Sequence, residues 1–143
     1  MDGLVTQRHP SLDRSLDLLA AIRAEAEAQS LVLAACVVDA AGHLIASQRM
    51  DGAALGAMRL AVGKAYTAAL WGMRTGDFGE STLPGGADWG FNTTDARIVV
   101  YAGGLPLFAD GELVGAAGAS GGTPEQDEAC VRAAALGAGF AVE

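Results

Sequence analysis

The sequence has few aromatic residues, few cysteines and few positive charges. Only 6% of its 143 residues are aromatic, which excludes a core built mainly from large rings. The two cysteines, Cys36 and Cys130, fall in a predicted strand and a predicted helix, which favours two reduced, buried thiols over a disulfide. Nine Lys and Arg stand against 17 Asp and Glu, and the net charge of −8 argues against a nucleic-acid partner, because it repels a phosphate backbone.

Long apolar runs are missing as well. The longest apolar stretches, such as residues 31–38, fall far short of the roughly 20 residues that cross a bilayer. The amino-terminal residues are polar and acidic and lack the basic and apolar regions of a signal peptide. We therefore expect a cytoplasmic protein with no membrane partner.

Small residues are abundant. Half of the chain is hydrophobic, and its 20 glycines are about twice the average usage of roughly 7%. Such a composition predicts a core in which elements approach closely. The length fits a single domain, residues 1–143, in which residues 1–10 form a loose amino-terminal arm.

Periodicity predicts three helices and five strands. Apolar residues at a spacing of three to four indicate helices, and short β-branched runs bounded by turns indicate strands. Gly56 and Gly63 weaken the second helix, which suggests that another element packs closely against it. The polar segment 74–97 is the longest irregular stretch and is typical of a binding loop or lid. The predicted helices cover residues 11–30, 52–73 and 124–137, and the predicted strands cover residues 31–39, 44–50, 98–101, 105–109 and 112–119. Because the hairpins imply an antiparallel sheet, the predicted fold class is an α+β sandwich.

The segment GAAGASGGTPEQDEA, residues 115–129, joins a glycine-rich strand to a helix start. Thr123, Pro124 and Gln126 match a capping box with proline in the first helical position. Three carboxylates on the first turn and the lack of a Gly-Lys-Ser/Thr ending argue against a phosphate-binding loop. The glycines leave a strand surface with little bulk, against which a flat ligand or a neighbouring subunit could lie.

Three ordered motifs carry a family resemblance. VVDAAGHLIASQRMDGA, KAYTAAL and GGLPLFADGELVGAAGASGGTPEQDEA together resemble the GlcG/HbpS-like heme-binding domain family, over about residues 12–140. The same domain forms the carboxyl-terminal part of PduO-type corrinoid adenosyltransferases. The resemblance implies a three-layer α-β-α, profilin-like sandwich around a five-stranded antiparallel sheet. It also implies assembly as a homo-oligomer, a dimer or larger, and heme binding in some members.

The candidate ligand-binding residues come from the ends of predicted strands, from one helix and from the long loop. Asp51 either caps the helix that follows it or lines a pocket mouth, and Arg49 could pair with it or with a ligand carboxylate such as a propionate. Lys64 either extends to solvent from an apolar helix or contacts a ligand, as the lysine in the family motif suggests. The full set is Arg49, Asp51, Lys64, Trp89, Phe91, Gly103, Gly104, Pro106, Ser120, Gly121 and Gly122.

Heme would need an axial ligand, usually His, Cys, Met or Tyr. The candidates are His43, in a predicted turn, and His9, in the amino-terminal arm, with Tyr101 a weaker one. No cluster of His and Cys has the spacing of a structural zinc site, so heme is the one cofactor that the sequence suggests.

Two main functions remain open at this stage. The leading hypothesis is a small-molecule binding protein whose ligand is heme or a similar planar anionic molecule. The alternative is a cofactor-independent isomerase, lyase or hydratase acting on a small carbonyl-containing metabolite. In that case Asp51, Lys64 and Asp95 would be catalytic, with Asp127 and Glu128 as further acid–base candidates, because a carboxylate and a lysine in an apolar cleft shift each other's pKa. A structural partner subunit is a third interpretation.

Overall fold

Four antiparallel strands and three α-helices make up residues 2–143, the part of the chain that the computed structural model describes. The elements are α1 (Leu12–Ala28), β1 (Ala34–Asp39), β2 (Leu44–Arg49), α2 (Ala57–Trp71), β3 (Gly104–Ala109), β4 (Glu112–Ser120) and α3 (Pro124–Gly137), with short 3-10 turns at Thr75–Phe78 and Phe91–Thr93. The order of the strands in the sheet is β2-β1-β4-β3. No helix within residues 2–143 has the length and apolar character needed to cross a membrane.

The α+β class is confirmed, but the five-stranded sheet is wrong. Residues 98–101, predicted as a strand, pair with no strand and instead run along α2. There the backbone N–H of Val99 donates to Thr67 Oγ1 at 3.0 Å, so its hydrogen bond goes to a helix side chain. At Gly63 a Cβ atom would lie 2.5 Å from Val99 Cγ2, so the lack of a side chain at Gly63 is what admits this segment. The predicted close packing therefore holds at Gly63 but not at Gly56, which has open space around it.

The helices cover the two faces of the sheet unequally. On one face, α2 places Ala65, Ala68 and Ala69 against Cys36 and Val38 of β1. The face that α1 and α3 cover is packed with larger side chains, among them Leu18, Leu19, Ile22, Val37, Leu105, Leu107 and Val131. Cys36 belongs to the first face and Cys130 to the second, and both are free, buried thiols, as predicted.

The buried face of α1 includes a serine, while two of its leucines are exposed. Leu12 and Leu16, which belong to the apolar pattern in the sequence, are exposed, whereas Ser15 and Leu18 are buried. Ser15 is accommodated because its hydroxyl donates to Ser11 O at 2.8 Å. Ser11 caps this helix, since its Oγ accepts from the Arg14 N–H at 3.1 Å.

Candidate functional site

A mostly apolar groove of about 1130 Å³ follows α2. One wall is formed by the surface of α2 and the turn that precedes this helix. The other wall is formed by the segment 96–101. The turn formed by Ser120, Gly121 and Gly122 also lines the groove. Small-molecule sites commonly occupy about 300–1,000 Å³, so this groove is large enough for a ligand of substantial size.

A buried ion pair holds that glycine turn in place. Lys64, the single lysine of the sequence, is 2% exposed, and its Nζ lies 2.9 Å from Asp127 Oδ2. The same Nζ donates to the carbonyl oxygen of Ala119 at 3.0 Å. The other carboxylate oxygen of Asp127 accepts the N–H of Gly122 at 2.8 Å. Lys64 therefore links α2 to α3 around the end of β4 and lies behind the groove rather than in its lining.

Side chains of α3 and its cap residue satisfy backbone N–H groups at the start of this helix. Thr123 Oγ1 accepts the N–H of Gln126 at 3.2 Å, and Gln126 Oε1 accepts the N–H of Thr123 at 2.9 Å. The predicted capping box, with Pro124 in the first turn, is thus confirmed. These bonds satisfy backbone donors that a bound phosphate would otherwise need.

A second charged cluster stands in the groove wall. The Tyr66 hydroxyl donates to Asp95 Oδ2 at 2.5 Å. Arg97 donates to the same carboxylate from Nε at 3.0 Å and from Nη2 at 2.9 Å, and its guanidinium lies 4.2 Å from the centre of the Tyr66 ring. The hydrogen bonds from Arg97 and then Tyr66 hold the pKa of Asp95 well below its usual range, and the bond to Asp95 raises the pKa of Tyr66. Asp95 is therefore an ionised acceptor committed to these two partners.

Arg59 and Arg97 are the charged residues that line the groove in the described part of the chain. The side chain of Arg59 is exposed, and within residues 2–143 it makes no hydrogen bond or ion pair. Neither arginine was predicted from the sequence as a site residue, and Tyr66 was not predicted either. Asp95 was a candidate and lies two residues before Arg97, but the sequence has no local pattern that links residue 97 to residues 59 and 66.

Arg49 and Asp51 lie elsewhere. They line a smaller hollow of about 330 Å³, together with Arg23 and Glu27 of α1. Asp51 is not the cap of α2, because the helix begins later and Gly56 occupies the cap position. The structure thus places Asp51 in this small hollow, Lys64 in a buried pair and Asp95 beside Tyr66, without bringing the three together.

The aromatic residues of the long loop divide into an anchored one and an exposed one. Phe91 stacks on Phe78 with ring centres 5.1 Å apart and meets the edge of Trp71 at 5.3 Å. Trp89 is 68% exposed, and neither Trp89 nor Phe91 lines the groove. Phe91 therefore anchors the loop to the end of α2, and Asn92 beside it reaches the groove lining.

Of the two segments predicted to bind a ligand through their backbone, one lines the groove and the other does not. Gly103, Gly104 and Pro106 are buried beside or within β3, and the N–H of Gly104 donates to Thr75 Oγ1 at 2.9 Å. They are absent from the groove lining, whereas Ser120, Gly121 and Gly122 are part of it. A Cβ at Gly121 would lie 2.6 Å from Leu33 Cα, so this turn packs directly on the backbone before β1.

Neither candidate histidine lines the groove. His9 is exposed in the arm, whose Arg8 pairs with Asp110 and Glu112 in the β3–β4 hairpin, at the end of β4 opposite to Ser120. His43 is exposed in the β1–β2 turn, with Nδ1 3.3 Å from Asp39 Oδ2. Tyr101 does line the groove and is 57% exposed. No group of three or more His, Cys, Asp or Glu residues within 2–143 could hold a metal ion.

Comparison with known proteins gives a consistent family assignment. A family model described as "Haem degrading protein HbpS-like" matches residues 11–136. The chain is 37% identical over 108 residues to an uncharacterised 15.0 kDa protein from the dhaT-dhaS intergenic region of Citrobacter freundii, covering 75% of this chain and 76% of that protein.

Two further similarities concern PduO proteins. Identity to the corrinoid adenosyltransferase PduO of Salmonella typhimurium is 37% over 92 residues, which is 64% of this chain but only 27% of that protein. The crystal structure of a PduOC–heme complex superposes with a TM-score of 0.90 at 29% identity, covering 94% of this chain and 99% of that one.

Proposed function

The chain belongs to the HbpS-like family, and from that premise we propose that it binds heme, or a similar planar anionic molecule, in the groove along α2. The observation that carries the proposal is the groove itself, which is mostly apolar and, at about 1130 Å³, larger than the hollows of about 330 and 380 Å³ beside α1. The heme complex of a structural relative supports this ligand class.

The residues present fit a heme-like guest. Val62, Ile98 and Val100 offer apolar contacts to the body of a macrocycle, and the glycine turn adds a surface without side-chain bulk. Met58, Tyr66 and Tyr101 are the groove residues of types that can ligate iron, and of the two tyrosines Tyr66 already bonds to Asp95. Bound heme would supply an iron centre, and we propose Tyr101 as the residue that would hold it, ahead of His43 and His9, which lie outside the lining.

The first test is a hemin titration followed by absorbance in the Soret region. Leu60 and Leu70 are both partly exposed leucines of α2, but only Leu60 lines the groove. Leu60→Glu places an anion in the apolar groove and should weaken hemin binding about ten-fold or more, a loss of roughly 1.4 kcal/mol or greater. Leu70→Glu is the matched control and should stay within about two-fold of wild type.

Two outcomes decide against the proposal. If wild type shows no saturable hemin binding, the protein is not a heme binder. If both glutamate variants bind as tightly as wild type, the groove is not the site. The axial ligand is tested separately: Tyr101→Phe should change the Soret maximum of the complex, whereas His43→Ala and His9→Ala should leave it unchanged.

The cofactor-independent enzyme finds no support in the arrangement of its candidate residues. The pairing of a lysine with a carboxylate does occur, between Lys64 and Asp127, but both side chains are sealed from solvent and already bonded to one another. Asp95 is likewise occupied by Arg97 and Tyr66. A general base needs a free acceptor within reach of its substrate, and these carboxylates do not offer one.

A further inference from the structure

The charge in the groove runs against the charge of the whole protein. The sequence carries 17 acidic and nine basic residues, yet both charged residues that line the groove are arginines, Arg59 and Arg97. The remaining lining residues within the described chain are apolar, aromatic or neutral polar. The Asp95 carboxylate beside Arg97 offsets one of these two charges, and the groove keeps a net positive charge in apolar walls where a ligand would lie.

Helix stability does not explain Arg59. It sits in the first turn of α2, where the helix dipole disfavours a cation, and that turn contains no acidic residue. Gly56, at the cap position, makes no side-chain capping bond. The side chain of Arg59 is exposed and makes no ion pair within residues 2–143. Its position costs helix stability and gains nothing from a protein partner.

Arg97 is held in place while most of its donors stay available. A guanidinium has five N–H donors, and Asp95 accepts two of them. Asp95 is fixed in turn by Tyr66, whose ring also lies under the guanidinium. Arg97 therefore presents its other donors from a position set before any ligand arrives, which lowers the entropy cost of binding.

On these grounds, and resting on the proposed function, we propose that Arg59 and Arg97 select a planar ligand carrying two carboxylates, each arginine binding one carboxylate in the groove. Lys64 cannot take this role, because its ammonium group is bound to Asp127 and Ala119. Arg49 cannot either, because it lines a different hollow. Arginine suits the task, since its planar fork matches a carboxylate with two parallel hydrogen bonds.

The experiment compares hemin with its dimethyl ester, in which both propionates are neutral and the macrocycle is unchanged. Wild type should bind hemin at least about 100-fold more tightly than the diester, because each of the two carboxylates loses charge-assisted hydrogen bonds worth about ten-fold in affinity. Arg59→Gln and Arg97→Gln should each reduce this preference by about ten-fold. Arg49→Gln is the matched control and should keep the wild-type preference.

The outcomes separate this inference from the function on which it rests. If wild type binds hemin and the diester equally, or if Arg59→Gln and Arg97→Gln keep the wild-type preference, the arginines do not select the ligand, although heme binding stands. If wild type binds neither compound, both proposals fail. Arg97→Lys keeps the positive charge but loses the planar guanidinium. Its preference for hemin over the diester should lie between those of wild type and Arg97→Gln, because lysine can still attract a carboxylate but cannot bind it with two parallel hydrogen bonds.

Discussion

On the sheet face that α1 and α3 cover, leucine, isoleucine and valine side chains interlock. On the face that α2 covers, the contacts are made mainly by alanines, glycine backbone and Cys36. The first face is stabilised by burying large apolar side chains, whereas the second depends on close backbone approach, for example between Gly118 of β4 and Ala65 of α2. Only the α2 side carries the large groove.

This difference shows how a small domain can combine a stable core with a ligand groove. Burial on the α1/α3 face contributes about 1.5–3 kcal/mol for each large side chain, so that face can supply most of the hydrophobic stabilisation. With its inner side packed through alanines, α2 is free to present larger residues such as Met58, Leu60 and Tyr66 to the groove. The Lys64–Asp127 pair then ties the two helical layers together.

The largest expected effect comes from breaking that tie. Lys64→Met removes the cation and leaves the Asp127 carboxylate buried without its partner, which should lower the free energy of unfolding by about 3–5 kcal/mol. Urea denaturation at pH 7 measures the change. The double variant Lys64→Met/Asp127→Leu should recover most of the loss, since it removes both buried charges. A single variant within about 1 kcal/mol of wild type would mean that the pair does not hold the layers together.

A cavity on the α1/α3 face should lower the free energy of unfolding by nearly as much. Leu18 is 1% exposed in this cluster, so Leu18→Ala should cost about 2–5 kcal/mol of unfolding free energy. Leu18→Met keeps most of the volume and should cost less than about 1.5 kcal/mol. Equal costs for the two variants in denaturant titrations would contradict the view that this face depends on buried volume.

Adding a side chain where α2 packs on the sheet should also lower the free energy of unfolding, but by less than the cavity does. A Cβ at Gly118 would lie 2.7 Å from the backbone nitrogen of Ala65, so Gly118→Ala forces α2 away from β4 and should cost about 1–3 kcal/mol. The matched control is Gly137→Ala at the end of α3, where nothing lies within 4 Å of the added atom. That variant should be stabilised by about 0.4–1 kcal/mol. A stabilised Gly118→Ala would refute close backbone approach on this face.

Local signals made much of the fold predictable from the sequence. The three helices, the two hairpins and the capping box at Thr123 were confirmed, because each depends on residues within a few positions of one another. The strand predicted at 98–101 was wrong because its apolar residues pack on α2, and a short apolar run looks the same in both settings. The missing side chain at Gly63, 36 positions before Val99, decided its place.

The candidate site was harder to predict because its residues meet only in three dimensions. The turn at Ser120, Gly121 and Gly122 lines the groove, and the glycine-rich sequence indicated such a surface. Lys64 and Asp127 are separated by 63 positions, so spacing could not show that the pair is sealed inside the protein. Arg59 and Arg97 line the same groove because the irregular segment before β3 runs along α2, and nothing in the local sequence indicates this path.

Each face of the sheet contains one buried cysteine, and the pH dependence of stability that these thiols cause is the smallest effect that we expect. Burial raises the pKa of Cys36 from 9.0 to about 12. The unfolded chain therefore loses this proton first as the pH rises, and stability should fall between about pH 9 and pH 12. At pH 10 the loss of unfolding free energy assigned to Cys36 should be about 1.4 kcal/mol relative to pH 8, because the unfolded thiol is by then largely ionised.

Cys36→Ala and Cys130→Ala separate the contributions when unfolding free energies are measured at pH 8 and pH 10. Burial also raises the pKa of Cys130, whose nearby carboxylates add to the effect. Each variant's pH dependence is compared with wild type, so a packing cost common to both pH values cancels. If Cys36→Ala declines with pH as steeply as wild type, the thiol is not sealed, and the tight contact between α2 and the sheet does not exclude water at that point.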